Sequence, residues 1–170
     1  MKFSPSFILA ALMLGTICLQ VSCKKEGPQP PKNNEIKATI TFSSGQVLTT
    51  QTSGWNAALG CGLFVPSSWL ESRDDTHGRI VVVCSGPCVT APATTDQVMV
   101  SYFRDPNSPT APVYYNSIIR SPGDPEVKSG SVTFTSVNGD FWEGHFNAIC
   151  WATPTDSVFI KGTFKGEKRN

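Results

Sequence analysis

The feature that most narrows what this chain can fold into is a strict two-residue alternation near its C-terminus. Across residues 141–151, Trp142, Gly144, Phe146, Ala148 and Cys150 form one set, and Phe141, Glu143, His145, Asn147 and Ile149 the other. Side chains along a strand point to opposite faces in turn, so this segment reads as a half-buried strand. The first set carries no charge and is expected to face the core. Residues 131–137 form the strand before it, joined through Asn138-Gly139, the strongest short hairpin signal. A last strand over 157–164 follows the turn Thr153-Pro154-Thr155-Asp156.

Similar signals recur upstream. Residues 36–42 (IKATITF) and 97–103 (QVMVSYF) alternate, and 113–120 (VYYNSIIR) is aromatic and β-branched. Residues 79–84 (RIVVVC) form a continuous apolar run suited to a strand buried on both faces. Only 67–72 (SSWLES), after Pro66, is expected to make a helical turn, which would leave Trp69 exposed in a loop. About nine short strands separated by Pro, Gly, Asn and Asp turns predict an all-β fold, an antiparallel β-sandwich or barrel. No internal repeat is present.

The N-terminus has a different composition. Met1-Lys2 is cationic, and residues 7–19 (FILAALMLGTICL) are largely apolar. That run is too short to cross roughly 30 Å of hydrocarbon as a helix, and it matches an export signal. Its ending, Gln20-Val21-Ser22-Cys23, resembles the lipobox of bacterial lipoproteins, with Gln20 in place of the usual Leu. Cys18 is the rival acceptor, but Ile17 puts a bulky residue at the cut. The resemblance implies a signal peptide over 1–22 and lipidation of Cys23, which becomes the first residue of the mature chain. Several acyl chains such as palmitate on one cysteine anchor almost permanently, at about 0.8 kcal/mol per buried methylene. Lys24 is not the aspartate of inner-membrane retention, so the resemblance places the chain in the outer membrane, facing either the periplasm or the surface. Residues 23–34 then comprise the lipidated Cys23 and a Pro-rich tether, whose GPQPPKNN stretch is extended and semi-rigid. Residues 35–170 are long enough for one domain with a single core.

Removing the signal takes Lys2 from the 14 basic residues and leaves 13 against 13 acidic ones. A neutral chain lacks the electrostatic footprint of nucleic-acid binding. It also lacks the cationic amphipathic face that binds anionic lipid, so the anchor alone is expected to hold it to the membrane.

Beyond Cys23 the mature chain has Cys61, Cys84, Cys88 and Cys150. Lipidating Cys23 leaves an even number, and disulfides are expected in an oxidising compartment. The spacing favours Cys84–Cys88 with Cys61–Cys150, and Cys61–Cys84 with Cys88–Cys150 is the alternative. A four-thiolate zinc site is the sharper reading, but only Cys84-x-x-x-Cys88 has the ligand spacing.

Several segments together carry a further likeness. Residues 130–135 (GSVTFT), Asn138-Gly139, 143–146 (EGHF) and 161–164 (KGTF), with Trp55-Asn56-Ala57 earlier, resemble a group of small Bacteroidota lipoproteins. These are hairpin and strand signals over the last third of the chain. The group has no activity attached to it, and the cysteines here depart from its pattern.

Candidate chemistry is sparse. Asp74-Asp75-Thr76-His77-Gly78 gathers two carboxylates and an imidazole in one loop, suited to metal binding or acid–base work or simply to a turn. Glu143 and His145 lie side by side on one strand face, where a carboxylate can orient an imidazole. The oxygens of residues 105–109 (DPNSP) lack calcium-loop spacing and are expected to form a turn. No nucleophile motif accompanies any of these, so no catalytic residue, metal site or cofactor is assigned. Trp69, Tyr114 and Tyr115 are the expected ligand contacts, because exposed aromatics bind sugars or partner surfaces. The expectation is a lipid-anchored, non-enzymatic cell-envelope module whose partner is an envelope protein or glycan. The alternatives are a purely structural envelope protein and a metal- or thiol-dependent enzyme.

Overall fold

A computed structural model describes residues 34–62, 66–104, 113–119 and 127–169. The expected signal peptide, Cys18, Cys23, nearly all of the tether and the turn at 105–109 lie outside the described residues. The strands are β1 (Glu35–Phe42), β2 (Val47–Ser53), β3 (Ala57–Cys61), β4 (Ser67–Asp74), β5 (Gly78–Ser85), β6 (Ala93–Thr95) and β7 (Val98–Arg104). They continue with β8 (Val113–Asn116), β9 (Ile118–Ile119), β10 (Val127–Lys128), β11 (Ser131–Asn138), β12 (Phe141–Thr153) and β13 (Asp156–Glu167). One 3-10 turn, Gly54–Asn56, links β2 to β3.

These strands form an antiparallel sheet in the order β2-β1-β13-β12-β8-β7-β5-β4-β3, curled into a nearly closed barrel. β12 is the fork. One of its edges pairs β13 along nearly its whole length, while the other meets β11 over Phe141–Asn147 and β8 at Trp151. β6 extends β11, and β9 and β10 form a separate small pair. β2, at one end of the path, is joined by side chains to β4, one strand in from the other end. Thr50 Oγ1 donates to Asp74 Oδ2 at 2.7 Å, and the Thr52 and Ser72 hydroxyls share a hydrogen bond of 2.9 Å. Asn34, buried ahead of β1, donates from Nδ2 to the Ala57 and Glu167 carbonyls and accepts from the Glu167 and Gly54 amides.

The interior is packed with side chains. Phe42, Tyr102 and Tyr115 form one aromatic group, with centroids 5.9 to 6.4 Å apart. Phe134 forms a second with Trp142 at 5.2 Å and Phe164 at 5.3 Å. Ile36, Ile40, Leu59, Leu70, Val82, Val100 and Ile160 are fully buried. Gly144 and Gly162 make room for the cross-strand rings of Phe164 and Phe146, respectively, which would lie 2.6 and 2.5 Å from a Cβ at those positions. A ring lying over a strand glycine shields its backbone, and it pins the register of β12 on β13.

The core face read from residues 142–150 is the observed one, since Trp142, Gly144, Phe146, Ala148 and Cys150 are all buried. Four local expectations are corrected. Residues 67–72 are strand, not a helical turn, because Ser68, Leu70 and Ser72 face the interior and β4 pairs β3 and β5. β5 is buried on one face only, with Ile80, Val82 and Cys84 inward and Arg79, Val81 and Val83 half-exposed. The strand expected over 113–120 breaks at Ser117, which donates its amide to the Val100 carbonyl and accepts the Val100 amide on Oγ. Asn138 pairs with Phe141, so the hairpin loop is Gly139-Asp140, with Gly139 at φ 59°.

The expected disulfides are also corrected. Cys61 bonds to Cys88, and Cys84 and Cys150 are free and buried. Cys61, Ser68 and Cys84 share one row across three strands. Two strand spacings, about 10 Å, separate Cys61 from Cys84, beyond the roughly 7 Å a disulfide spans. After β5 the chain returns over β4, where the Val89 amide donates to Ser68 Oγ at 3.0 Å. That return carries Cys88 to Cys61, with the Cα atoms 5.5 Å apart. Burial pushes both free thiols up to about 12, so neither is a nucleophile near neutral pH. Alkylation of the folded, unreduced chain followed by peptide mapping should leave Cys84 and Cys150 unlabelled. Unfolding without reductant should expose those two and no more of the four, and labelled Cys61 or Cys88 at that stage would contradict the pairing.

Candidate functional site

The 3-10 turn between β2 and β3 crosses the open side of the barrel and holds Trp55 outward, 47% exposed. Trp69 points outward from β4, and its partner in the register is Gly60 on β3. The indole covers that glycine so closely that a Cβ there would lie 2.5 Å from Trp69 Cζ2. Gly60 therefore fixes the ring flat against the sheet. The segment after β13 brings the third component. The Arg169 amide donates to the Leu59 carbonyl at 2.8 Å, and Arg169 bridges Gly60 in parallel. Its guanidinium sits over the Trp55 ring, 4.5 Å from the centroid.

Between these groups lies a cleft of about 340 Å³, also bordered by Asn56, Ala58, Glu71 and Arg73. The Glu71 carboxylate is engaged by Arg73 and by Arg79 Nε at 2.8 Å. Among the described residues, Arg169 Nε and Nη2 are closed to solvent and have no hydrogen-bond partner. The cleft thus has two indole surfaces, a carboxylate already ion-paired and a guanidinium stacked on Trp55.

A larger and shallower hollow of about 630 Å³ lies on the outer face of β1, β13 and β12, bordered by Lys37, His145, Asn147, Phe159 and Lys161. Glu143 and His145 do share that face, yet no hydrogen bond joins their side chains among the described residues. Glu35 at its edge pairs with Lys37 and Lys165, both at 3.0 Å. These two hydrogen-bonded ammonium groups hold its carboxyl below the usual range. Ile149, Phe159 and Val47, at 41%, 42% and 55% exposure, lie in one cross-strand row with Thr41.

Of the expected ligand contacts, Trp69 lines the cleft, but as a half-buried strand residue rather than an exposed loop residue. Tyr114 is exposed elsewhere, against Phe103 at a centroid distance of 4.8 Å. Tyr115 is not a contact. As the next residue along a strand it points inward, 2% exposed, and its hydroxyl donates to Asp156 at 3.2 Å. Trp55 could have been singled out from its Gly-Trp-Asn turn between strands. Nothing in the sequence marks Arg169, which pairing with β3 brings into place.

The Asp74–His77 cluster is the β4–β5 turn. Asp74 Oδ1 accepts the Thr76 and His77 amides, and Oδ2 accepts Thr50 Oγ1 and lies 3.0 Å from His77 Nδ1. Tyr102 donates to the His77 carbonyl at 2.7 Å. Among the described residues, no three His, Cys, Asp or Glu side chains group to hold a metal. The four-thiolate zinc reading falls with the Cys61–Cys88 bond. Comparison with protein families, curated proteins and solved structures finds no match.

Burial raises the Asp74 carboxyl, but the hydrogen bonds from Thr50, His77 and the two amides outweigh it and hold the group well below the usual range. A depressed folded-state value stabilises the fold above the unfolded value, about pH 4. That stabilisation is lost as pH falls below 4 toward the folded value. Asp74→Asn should therefore lower unfolding free energy at pH 7 by about 1–3 kcal/mol and flatten its decline below pH 4. Parallel urea-derived stability curves for the two proteins would contradict this.

Proposed function

We propose that the chain is a lipid-anchored cell-envelope protein acting as a non-enzymatic binding module, with the Trp55–Trp69 cleft as its binding site. The observation that carries the reading is Trp55, a large indole left half-exposed beside a second tryptophan while Trp142 is fully buried. Exposed aromatic surface grouped with hydrogen-bonding side chains in a concave site is the usual form of a ligand pocket. Other reactive groups serve the fold: Asp74 and His77 build a turn, Cys61 and Cys88 are bonded, and Cys84 and Cys150 lie in the core. The lipobox-like Gln20–Cys23 segment supports the anchor and an outer-membrane location, and neutrality of the mature chain supports a protein or glycan partner over nucleic acid.

Two measurements on the protein from native membranes test the two halves of this reading. Intact mass should match a chain beginning at an acylated Cys23, whereas an unmodified Cys23 would refute the anchor. Titration with solubilised envelope polysaccharides and peptidoglycan fragments should shift the Trp55 and Trp69 indole N–H resonances. The shifts should vanish in Trp55→Ala, and an unresponsive cleft would refute the binding reading.

A further inference from the structure

The state of the charged groups narrows what the cleft accepts. Glu71 is held by Arg73 and by Arg79. The Arg169 guanidinium rests on the Trp55 ring, 4.5 Å from its centroid. These ionic groups are engaged within the protein, so a ligand recognised by its charge would have to break one of those contacts. What stays available is uncharged. Trp69 lies flat over Gly60, which takes up one side of the indole, and the half-buried ring borders the cleft with its other side. The face of Trp55 turned to Arg169 is already occupied, which leaves Trp69 as the open aromatic platform. Asn56 stands exposed at the rim, and among the described residues its side-chain amide makes no hydrogen bond. An amide both donates and accepts, as a sugar hydroxyl does. An indole face carries the negative side of the ring quadrupole, and it attracts the weakly positive C–H groups on the apolar side of a pyranose. A volume of about 340 Å³ is at the small end for ligand pockets, suited to a sugar unit rather than a protein segment.

We infer that the Trp55–Trp69 cleft takes a neutral pyranose, its C–H face stacked on the outer side of Trp69 and its hydroxyls at Asn56. Binding leaves Arg169 on Trp55, where the free protein holds it. Gly60 is a positioning residue. A Cβ there would lie 2.5 Å from Trp69 Cζ2 and 2.6 Å from Cε2, which would push the ring off the sheet and tilt the platform. This inference rests on the binding reading above and adds the ligand class and the stacking residue to it.

The test titrates the full chain in detergent with the β-methyl glycosides of glucose and N-acetylglucosamine. Two controls accompany them: sorbitol, which has the hydroxyls without the ring, and methyl β-glucuronide, which adds a carboxylate to the ring. The indole N–H resonances and the sugar C–H protons are followed together. The neutral glycosides should move the Trp69 resonance, and their own ring protons should shift upfield from lying over the indole. They should bind about tenfold or more tighter than sorbitol, and the glucuronide no tighter than the glucoside. Trp69→Leu should abolish the response. Gly60→Ala should remove the upfield shifts and weaken binding about tenfold, with the buried Trp142 resonance unmoved as the sign of an intact core. Sorbitol binding as tightly as the glycosides, or a glucuronide preference of about tenfold, would overturn the neutral-pyranose class while leaving the binding reading intact. Upfield shifts that persist in Trp69→Leu would overturn the stacking assignment. Silence to both glycosides would overturn the inference, and the envelope-polymer titration then decides the binding reading separately.

Discussion

The rest of the structure depends on how the sheet closes. β2 at one end meets β4, one strand in from the other end, through side chains, with Thr50 on Asp74 and Thr52 on Ser72. Side-chain pairing leaves backbone groups at the seam, and Asn34 takes up four of them, from β3, β13 and the 3-10 turn. Unpaired sheet edges invite association with other chains, and on β3 the Arg169 amide takes up the Leu59 carbonyl. The same seam makes the candidate site. The β2–β3 connection must cross it, which lifts Trp55 outward, and the segment after β13 lies along β3, which delivers Arg169.

Much of the fold was legible because period-two alternation is a strong signal. β1, β7 and β12 appear where alternation placed them, β11 and β13 where the hairpin and turn signals placed them, and the core face of β12 was read residue by residue. β4 was missed although it alternates, because two of its inward residues are Ser68 and Ser72. A serine reads as polar in sequence, yet each has a partner inside, Val89 for one and Thr52 for the other. The disulfide was illegible for a different reason. Which cysteines meet is decided by strand order and by the path of the chain after β5, and spacing records neither.

The site was legible only in part. Aromatic type pointed to Trp69 and Tyr114, while strand parity, available from the sequence, should have separated Tyr114 from Tyr115. Arg169 could not be found, since its role comes from a contact with β3 across more than a hundred residues. Groups that looked reactive in sequence proved structural. Asp74 collects donors and His77 offers its carbonyl to Tyr102, and the free thiols are held in the apolar core.

Closure through side chains is tested most directly by a double-mutant cycle on the buried pair Thr52 and Ser72, using Thr52→Val, Ser72→Ala and the combination. If that hydrogen bond closes the barrel, urea unfolding should give a coupling energy of about 1 kcal/mol between the two sites. Strictly additive losses would mean that the hydroxyls act independently, and would contradict closure of the barrel at this seam.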